Sequence, residues 1–272
     1  MSVRNAEFQI ISALRTNRTK RSKEKEVFVE GTESIKQLLA ARWEITRILF
    51  RETVPLSHWA KDVISKHPKV KLYSVTEEMY LELSEKETPS ELIVTAKIKQ
   101  ALSLSLLSTS LAPGSQKNPF FVLFDRPSDL GNFGSLLRSA DAFQVDAILV
   151  LGHAIDVYDP KVIRSSLGSL FHIKLVFVDD FSSLVSFVEA EKTRVGLRVV
   201  GSDSTGERNL KTTEIQTPIL LVLGNEKKGM SVQLQSLCDE IISIPMLGVV
   251  NSLNVACAGS ILLWEVAKRR YR

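Results

Sequence analysis

The sequence predicts an α/β protein: a mostly parallel sheet covered by helices, preceded by a smaller α/β/α module. Three observations carry this. From residue 119 onward, apolar runs of strand length alternate with helix-length segments, as in a parallel sheet buried on both faces. The first 100 residues also alternate helix and strand signals, over a length suited to a small domain of its own. Between them, residues 100–118 (QALSLSLLSTSLAPGSQKN) are rich in Ser and small residues and carry Pro113-Gly114, a linker composition. The expected boundaries are 1–100, a linker at 101–118, and 119–272.

The first module opens on a helix at 5–16, where Phe8, Ile11 and Leu14 recur three apart and form one apolar face. VFVEG (27–31) reads as a short strand closed by Gly31, followed by a helix at 34–41 and a strand at 45–50. A helix at 57–66, a strand at 70–75, a helix at 76–84 and a strand at 92–98 complete it. No nucleophile–base constellation is visible in this part.

The second part begins with FFVLFD (120–125), a near-continuous apolar strand. A helix at 135–143, a strand at 147–152, a helix at 160–170, a strand at 173–178 and a helix at 181–193 follow. Strands at 198–203 and 219–224, a helix at 231–239 and a strand at 240–246 lead to a last helix from about Ser252 to Arg270.

Composition narrows the function classes. Hydrophobic content of 44% and charged content of 24% are ordinary for a globular protein. No apolar run reaches the roughly 18–20 residues that cross a bilayer, so no membrane partner is expected. The N-terminus lacks a signal-peptide core; its basic, partly amphipathic character leaves a transit peptide open, with Glu7 and Glu24 against it. Cys238 and Cys257 cannot form a disulfide framework and are expected to be reduced and buried, which suits the cytoplasm. His58, His67, His153 and His172 show no metal spacing. Net charge is +4, a mild pointer to an anionic partner. Residues 15–25 (RTNRTKRSKEK) concentrate that charge, and charge alone favours a solvated mobile arm over a phosphate-gripping one.

Ligands of parallel sheets bind beyond the carboxyl ends of the strands, which selects three loops. In DRPSDLGNFGSLLR (125–138), Gly131 and Gly134 admit close approach or a positive φ, Asn132 lies between them and Arg138 follows in the helix. The spacing matches neither a Rossmann fingerprint nor a Walker A loop, and Asn132 as a helix cap is an equal alternative. GNEKKGMS (224–231) follows an apolar strand, with Glu226 offering a carboxylate and Ser231 placed to cap the next helix. A hairpin turn is the plain alternative there. In IPMLGVVNSLNVACAGS (244–260), Asn251 or Ser252 explains a cap, but Asn254 would fall inside the first turn, where its amide needs partners.

Together these loops resemble the SpoU/TrmH family of RNA ribose 2′-O-methyltransferases. Asn132-x-Gly134-x-x-x-Arg138 resembles the family's first motif, Gly224-Asn225-Glu226-x-x-Gly229-Met230-Ser231 the second, and Ile244-Pro245-Met246 through Ser252-Leu253-Asn254-Val255-Ala256 the third. DPKVIRSSLGSLF (159–171) resembles an intermediate segment, while Gln144 stands where Gly is usual and Lys227-Lys228 add charge. FVEGTESIKQLL and ETPSELIV resemble the RNA-binding module of the ribosomal-RNA branch, which shifts the basic stretch towards phosphate contact.

The resemblance implies a deep trefoil knot, a homodimer, and S-adenosylmethionine bound by residues matching Gly224, Ile244, Met246 and Leu253. It implies catalytic roles for Asn132, Arg138, Glu226, Ser252 and Asn254, and RNA contacts from Arg15, Arg18, Lys20, Arg21, Lys23 and Arg164. Arg138 is read as gripping phosphate and steadying a developing alkoxide, because a guanidinium with a pKa above ~12 is a poor base. Glu226 is read as holding Arg138 or taking a proton through water. The implied substrate is ribosomal RNA; transfer RNA, or a non-catalytic RNA binder of the same fold, are the alternatives.

Overall fold

The computed structural model describes residues 5–84, 86–111, 116–153 and 155–270. Pro113-Gly114 of the linker lie outside them. The helices along the chain are α1 (Ala6–Thr16), α2 (Arg18–Glu24), α3 (Thr32–Ala40), α4 (His58–Lys66), α5 (Glu77–Leu83), α6 (Leu130–Ala142), α7 (Pro160–Ser165), α8 (Phe181–Val195), α9 (Val232–Leu237) and α10 (Val255–Arg270). The strands are β1 (Glu26–Glu30), β2 (Ile45–Arg51), β3 (Lys71–Val75), β4 (Leu92–Lys97), β5 (Phe120–Asp125), β6 (Ala147–Leu151), β7 (Leu175–Val178), β8 (Arg198–Ser202), β9 (Arg208–Asn209), β10 (Ile219–Leu223) and β11 (Glu240–Ser243). Two compact units divide the chain: residues 1–100 with 156–172, and residues 101–155 with 173–272. Residues 156–172, which the sequence pattern places in the second part, group with the first unit.

The first unit is built on a sheet of order β1-β4-β2-β3, with β4 antiparallel to both neighbours and β3 parallel to β2. Phe8, Ile11 and Leu14 of α1 bury against Phe28, Leu49, Val75, Tyr80 and Ile93, as their spacing predicts. The basic stretch is not a mobile arm. Asn17 accepts from the Lys20 N–H and starts α2, and Lys20 pairs with Glu24 one turn on.

Arg21 turns inward from that helix. Its Nε donates to Asp156 at 2.7 Å, Nη2 to Asp159 at 3.0 Å, and Nη1 to the carbonyls of Leu14 and Arg15. Its side chain is 3% exposed, so the expected RNA contact by Arg21 is corrected: this guanidinium joins α2 to residues 156–159. The Trp43 indole donates to the Phe171 carbonyl at 3.1 Å, and Gly168 holds a φ of +86° where a Cβ would meet Gln37 and Ser34 at 2.8 and 3.0 Å. That glycine also divides the expected 160–170 helix into α7 and a 3-10 turn at 169–171. Arg47 forms a second buried ion cluster, donating to Glu7 at 2.7 Å and to Glu26.

The second unit is an all-parallel sheet of order β7-β6-β5-β10-β8-β11-β9. The apolar strands β5, β6 and β10 are buried at every residue, as continuous hydrophobic runs require. β10 lies between β5 and β8, so the ends of β5, β10, β8 and β11 are consecutive along one edge of the sheet. The last helix, α10, packs on α6, and Gly259 permits it: a Cβ there would meet Leu136 Cδ1 at 2.6 Å. The Ser139 and Ser260 hydroxyls meet between these helices at 2.7 Å. Of the two cysteines, Cys238 is half-buried and Cys257 is exposed, which corrects the expectation that both are buried. Burial pushes the Cys238 thiol up to about 12, removing it as a nucleophile near neutral pH.

Candidate active site at four strand ends

Asp125, the last residue of β5, is the charged end of an otherwise apolar strand and is 1% exposed. Its carboxylate accepts from Nε and Nη2 of Arg126 at 2.8 and 2.7 Å and from the Ser231 N–H at 2.9 Å. Those bonds hold the Arg126 guanidinium above the ordinary arginine value. Arg126 has a φ of +48°, a left-handed backbone that bends the chain away from the strand. Its carbonyl then accepts from the Asn225 amide at 2.6 Å. The loops after β5 and β10 are thereby joined.

Glu226 completes that joint. Its carboxylate accepts from the Ser128 N–H at 3.0 Å, the Ser128 hydroxyl at 2.6 Å and the Asp129 N–H at 3.1 Å. The expected Glu226–Arg138 pair is absent among the described residues; the carboxylate positions the first loop instead. Asp129 accepts from the Asn132 N–H at 2.8 Å and caps α6, which starts at Leu130 rather than at 135. Gly131, Asn132 and Gly134 therefore sit in helix, not in a positive-φ loop, and the cap alternative for Asn132 gives way to Asp129. Arg138 is on the exposed side of α6, and no described hydrogen bond or ion pair engages it.

The loop after β10 has a steric requirement. A Cβ on Gly224 would lie 2.5 Å from the Met230 nitrogen and 2.6 Å from the Gly229 carbonyl carbon. Asn225 and Gly229 pair through both backbone bonds, closing a tight turn inside a strand–loop–helix segment. Ser231 precedes α9 in an extended conformation, as a cap should, but its hydroxyl makes no capping bond.

The polar cluster before α10 resolves similarly. The helix begins at Val255, later than the expected Ser252, and Asn254 is its cap. Asn254 Oδ1 accepts from the Ala256 N–H at 2.8 Å, while Nδ2 donates to Asn132 Oδ1 at 2.7 Å. The capping bond fixes which end of Asn254 is oxygen. Its Nδ2 then donates to Asn132 Oδ1, and the Asn132 NH₂ has no acceptor among the described residues. Ser252 and Leu253 are exposed at the same loop.

The loops after β10 and β11 enclose a cavity of about 330 Å³, within the usual range for small-molecule sites. Gly224, Glu226, Ile244, Met246, Ser252 and Leu253 line it, whereas Asn132, Arg138 and Asn254 do not. Asn254 and Asn132 join each other beside Ser252 and Leu253 in the chain, and Arg138 lies further along α6. Sequence reasoning missed Ser202, Asp203 and Ser204, which line the cavity from the end of β8. Applying the strand-end rule to β8 as well would have found them. It also missed Arg126, whose signal is a lone charged pair closing an apolar strand. Of the expected RNA contacts, Arg18 and Lys23 are exposed, Arg15, Lys20 and Arg164 half-buried, all in the first unit.

Residues 119–264 match the SpoU rRNA Methylase family, and residues 5–94 match the SpoU L30e-like domain. The chain is 35% identical over 269 residues to the 23S rRNA (uridine(2479)-2′-O)-methyltransferase of Streptomyces viridochromogenes, covering 98% of this chain and 91% of that protein. The crystal structure of the SpoU methyltransferase AviRb from the same organism, in complex with AdoMet, superposes with a TM-score of 0.88 at 35% identity, covering 98% of this chain and 99% of that one. The AdoMet-bound rRNA methyltransferase of Sinorhizobium meliloti, 23% identical, shares the fold with a TM-score of 0.84 over 100% of this chain and 98% of that one. The chain belongs to the SpoU rRNA methylase family and is an S-adenosylmethionine-dependent methyltransferase with an N-terminal SpoU L30e-like domain.

Proposed function

We propose that the protein methylates a ribose 2′-hydroxyl of ribosomal RNA, with Asn132 and Arg138 acting on the RNA and the loops after β8, β10 and β11 holding the methyl donor. The observation that carries this reading is Arg138: an exposed cation without a partner among the described residues, on the same helix as an Asn whose amide direction is fixed by Asn254. A fixed amide and an exposed guanidinium suit a sugar hydroxyl beside a phosphate.

The donor's residues are tested by Gly224, where any side chain would collide with the backbone of residues 229–230; the bare backbone leaves strand-end groups facing the cavity. Gly224, Ile244, Met246 and Leu253 would hold the adenosyl part, the last three covering its flat faces. S-Adenosylmethionine supplies the methyl group when bound. Arg138 steadies negative charge as the 2′-hydroxyl gives up its proton to water. Asn132 orients the ribose, and Ser252, which lines the cavity, supplies a further hydroxyl contact. Glu226 acts by holding residues 128–129, and through them the start of α6.

Arg15, Arg18, Lys20, Lys23 and Arg164 are assigned to RNA phosphates, without Arg21. The substrate of the Streptomyces viridochromogenes relative, 23S rRNA, supports ribosomal over transfer RNA. A homodimer is inferred from exposed apolar side chains of the second unit: Ile261 and Trp264 on one stripe of α10 with Cys257, and Leu247, Val249 and Val250 before it. β10 inserted between β5 and β8, with α10 returning to α6, supports a threaded C-terminal segment. No helix among the described residues is long and apolar enough to cross a membrane, and a cytoplasmic location is proposed with the free thiols in view.

The test is a map of 2′-O-methyl groups across ribosomal RNA incubated with the donor and either wild-type protein or Arg138→Ala. The reading expects a new methylated ribose with wild type alone. Methylation of a base, or no RNA product, would refute it.

A further inference from the structure

We propose that Asp203 recognises the positive charge of the methyl donor and so distinguishes it from uncharged adenosine compounds. The inference rests on the cavity being the donor site.

Asp203 follows β8 immediately and lines the cavity with Gly224 and Gly229. Its two oxygens have different surroundings. Oδ1 accepts from the Thr205 N–H at 2.9 Å and the Thr205 hydroxyl at 2.8 Å, which fixes the side chain on its own turn. Oδ2 receives no hydrogen bond from the described residues, and no Lys or Arg among them pairs with the carboxylate. It faces Gly229, where an added Cβ would lie 3.6 Å away. The other carboxylate lining the cavity, Glu226, is committed to residues 128–129. Asp203 is therefore a half-buried negative charge, unpaired among the described residues, at a site for a cation.

S-Adenosylmethionine carries two positive groups, the sulfonium and the α-ammonium. When the methyl group leaves, the electron pair of the S–CH₃ bond stays on sulfur and the sulfonium becomes a neutral thioether. The ammonium is unchanged. A carboxylate sheltered from water attracts either group more strongly than it would in bulk solvent.

The experiment is calorimetric titration of wild type and Asp203→Asn with S-adenosylmethionine, S-adenosylhomocysteine and 5′-deoxy-5′-methylthioadenosine, which has neither cation. Asn keeps an oxygen for Thr205. The expected result is about tenfold weaker donor binding by the variant, with methylthioadenosine affinity within about twofold. An equal loss for S-adenosylhomocysteine assigns the contact to the ammonium; no loss assigns it to the sulfonium. Asp203→Glu, which retains the charge, should recover the preference. Equal weakening of all three compounds, or of none, overturns the proposal. A wild-type protein that binds no donor would instead overturn the reading of the cavity.

Discussion

Arg21 and Arg138 show one residue type used in opposite ways. Arg21, in the first unit, is 3% exposed and satisfied by Asp156, Asp159 and two carbonyls. Arg138, in the second, is exposed, and its guanidinium makes no hydrogen bond or ion pair with the described residues. A buried guanidinium needs partners because desolvation is costly, so its charge is neutralised within the fold. An exposed one keeps its charge for something else. The difference teaches that a basic stretch must be divided by direction before it is assigned to RNA: in α2, Lys23 faces out while Arg21 faces in.

The comparison breaks most sharply on substitution of the two arginines. Arg138→Ala should lower methyl transfer at least a hundredfold while donor affinity changes less than about twofold, measured by single-turnover assay and calorimetry. Its stability should stay within about 0.5 kcal/mol of wild type. Arg21→Met should do the reverse: about 3 kcal/mol of stability removed in denaturant unfolding, because Asp156 and Asp159 keep their charge without a partner. If Arg21→Met is as stable as wild type, the structural role assigned to Arg21 is wrong.

Asn254→Ala joins the two kinds of effect. It removes the cap of α10, worth about 1 kcal/mol, and frees Asn132 to rotate. The melting temperature and the turnover number should both fall, with donor affinity retained. Neutralising Lys20 and Lys23 should reduce the salt slope of RNA binding by about one for each lysine that grips a phosphate, and leave turnover at saturating RNA intact.

The smallest effect is on pH. Hydrogen bonds from Lys71 and Arg47 pull Glu7 down from 4.5 to about 2. A lowered carboxylate contributes stability that is present above pH 4.5 and disappears as pH falls towards 2. Glu7→Gln should therefore be less stable than wild type at neutral pH, and the gap should close between pH 4.5 and 2 in acid titrations.

Much of the second unit was legible because its strands are apolar throughout and its loops follow strand ends. β5, β6, β10 and the loop at 224–231 stand where the pattern puts them. What the sequence concealed was long-range pairing. Nothing local says that Glu226 belongs to Ser128 and Asp129, 98 and 97 residues away, rather than to Arg138. Arg21 likewise meets partners 135 and 138 residues on. Helix starts were misplaced where an Asx cap competes with periodicity: Asp129 begins α6 before its apolar stripe is evident, and Asn254 delays α10. The two-residue strand β9 is too short to leave a pattern.

The central claim is that loops after three adjacent strands, β10, β8 and β11, form one donor site, with the residues that handle the ribose carried by α6. A crystal structure of the protein grown with S-adenosylmethionine tests it most directly. The account predicts the donor between Gly224, Ile244 and Leu253, with Asp203 near a positively charged group of it. A donor bound elsewhere, with that cavity filled by solvent, would contradict it.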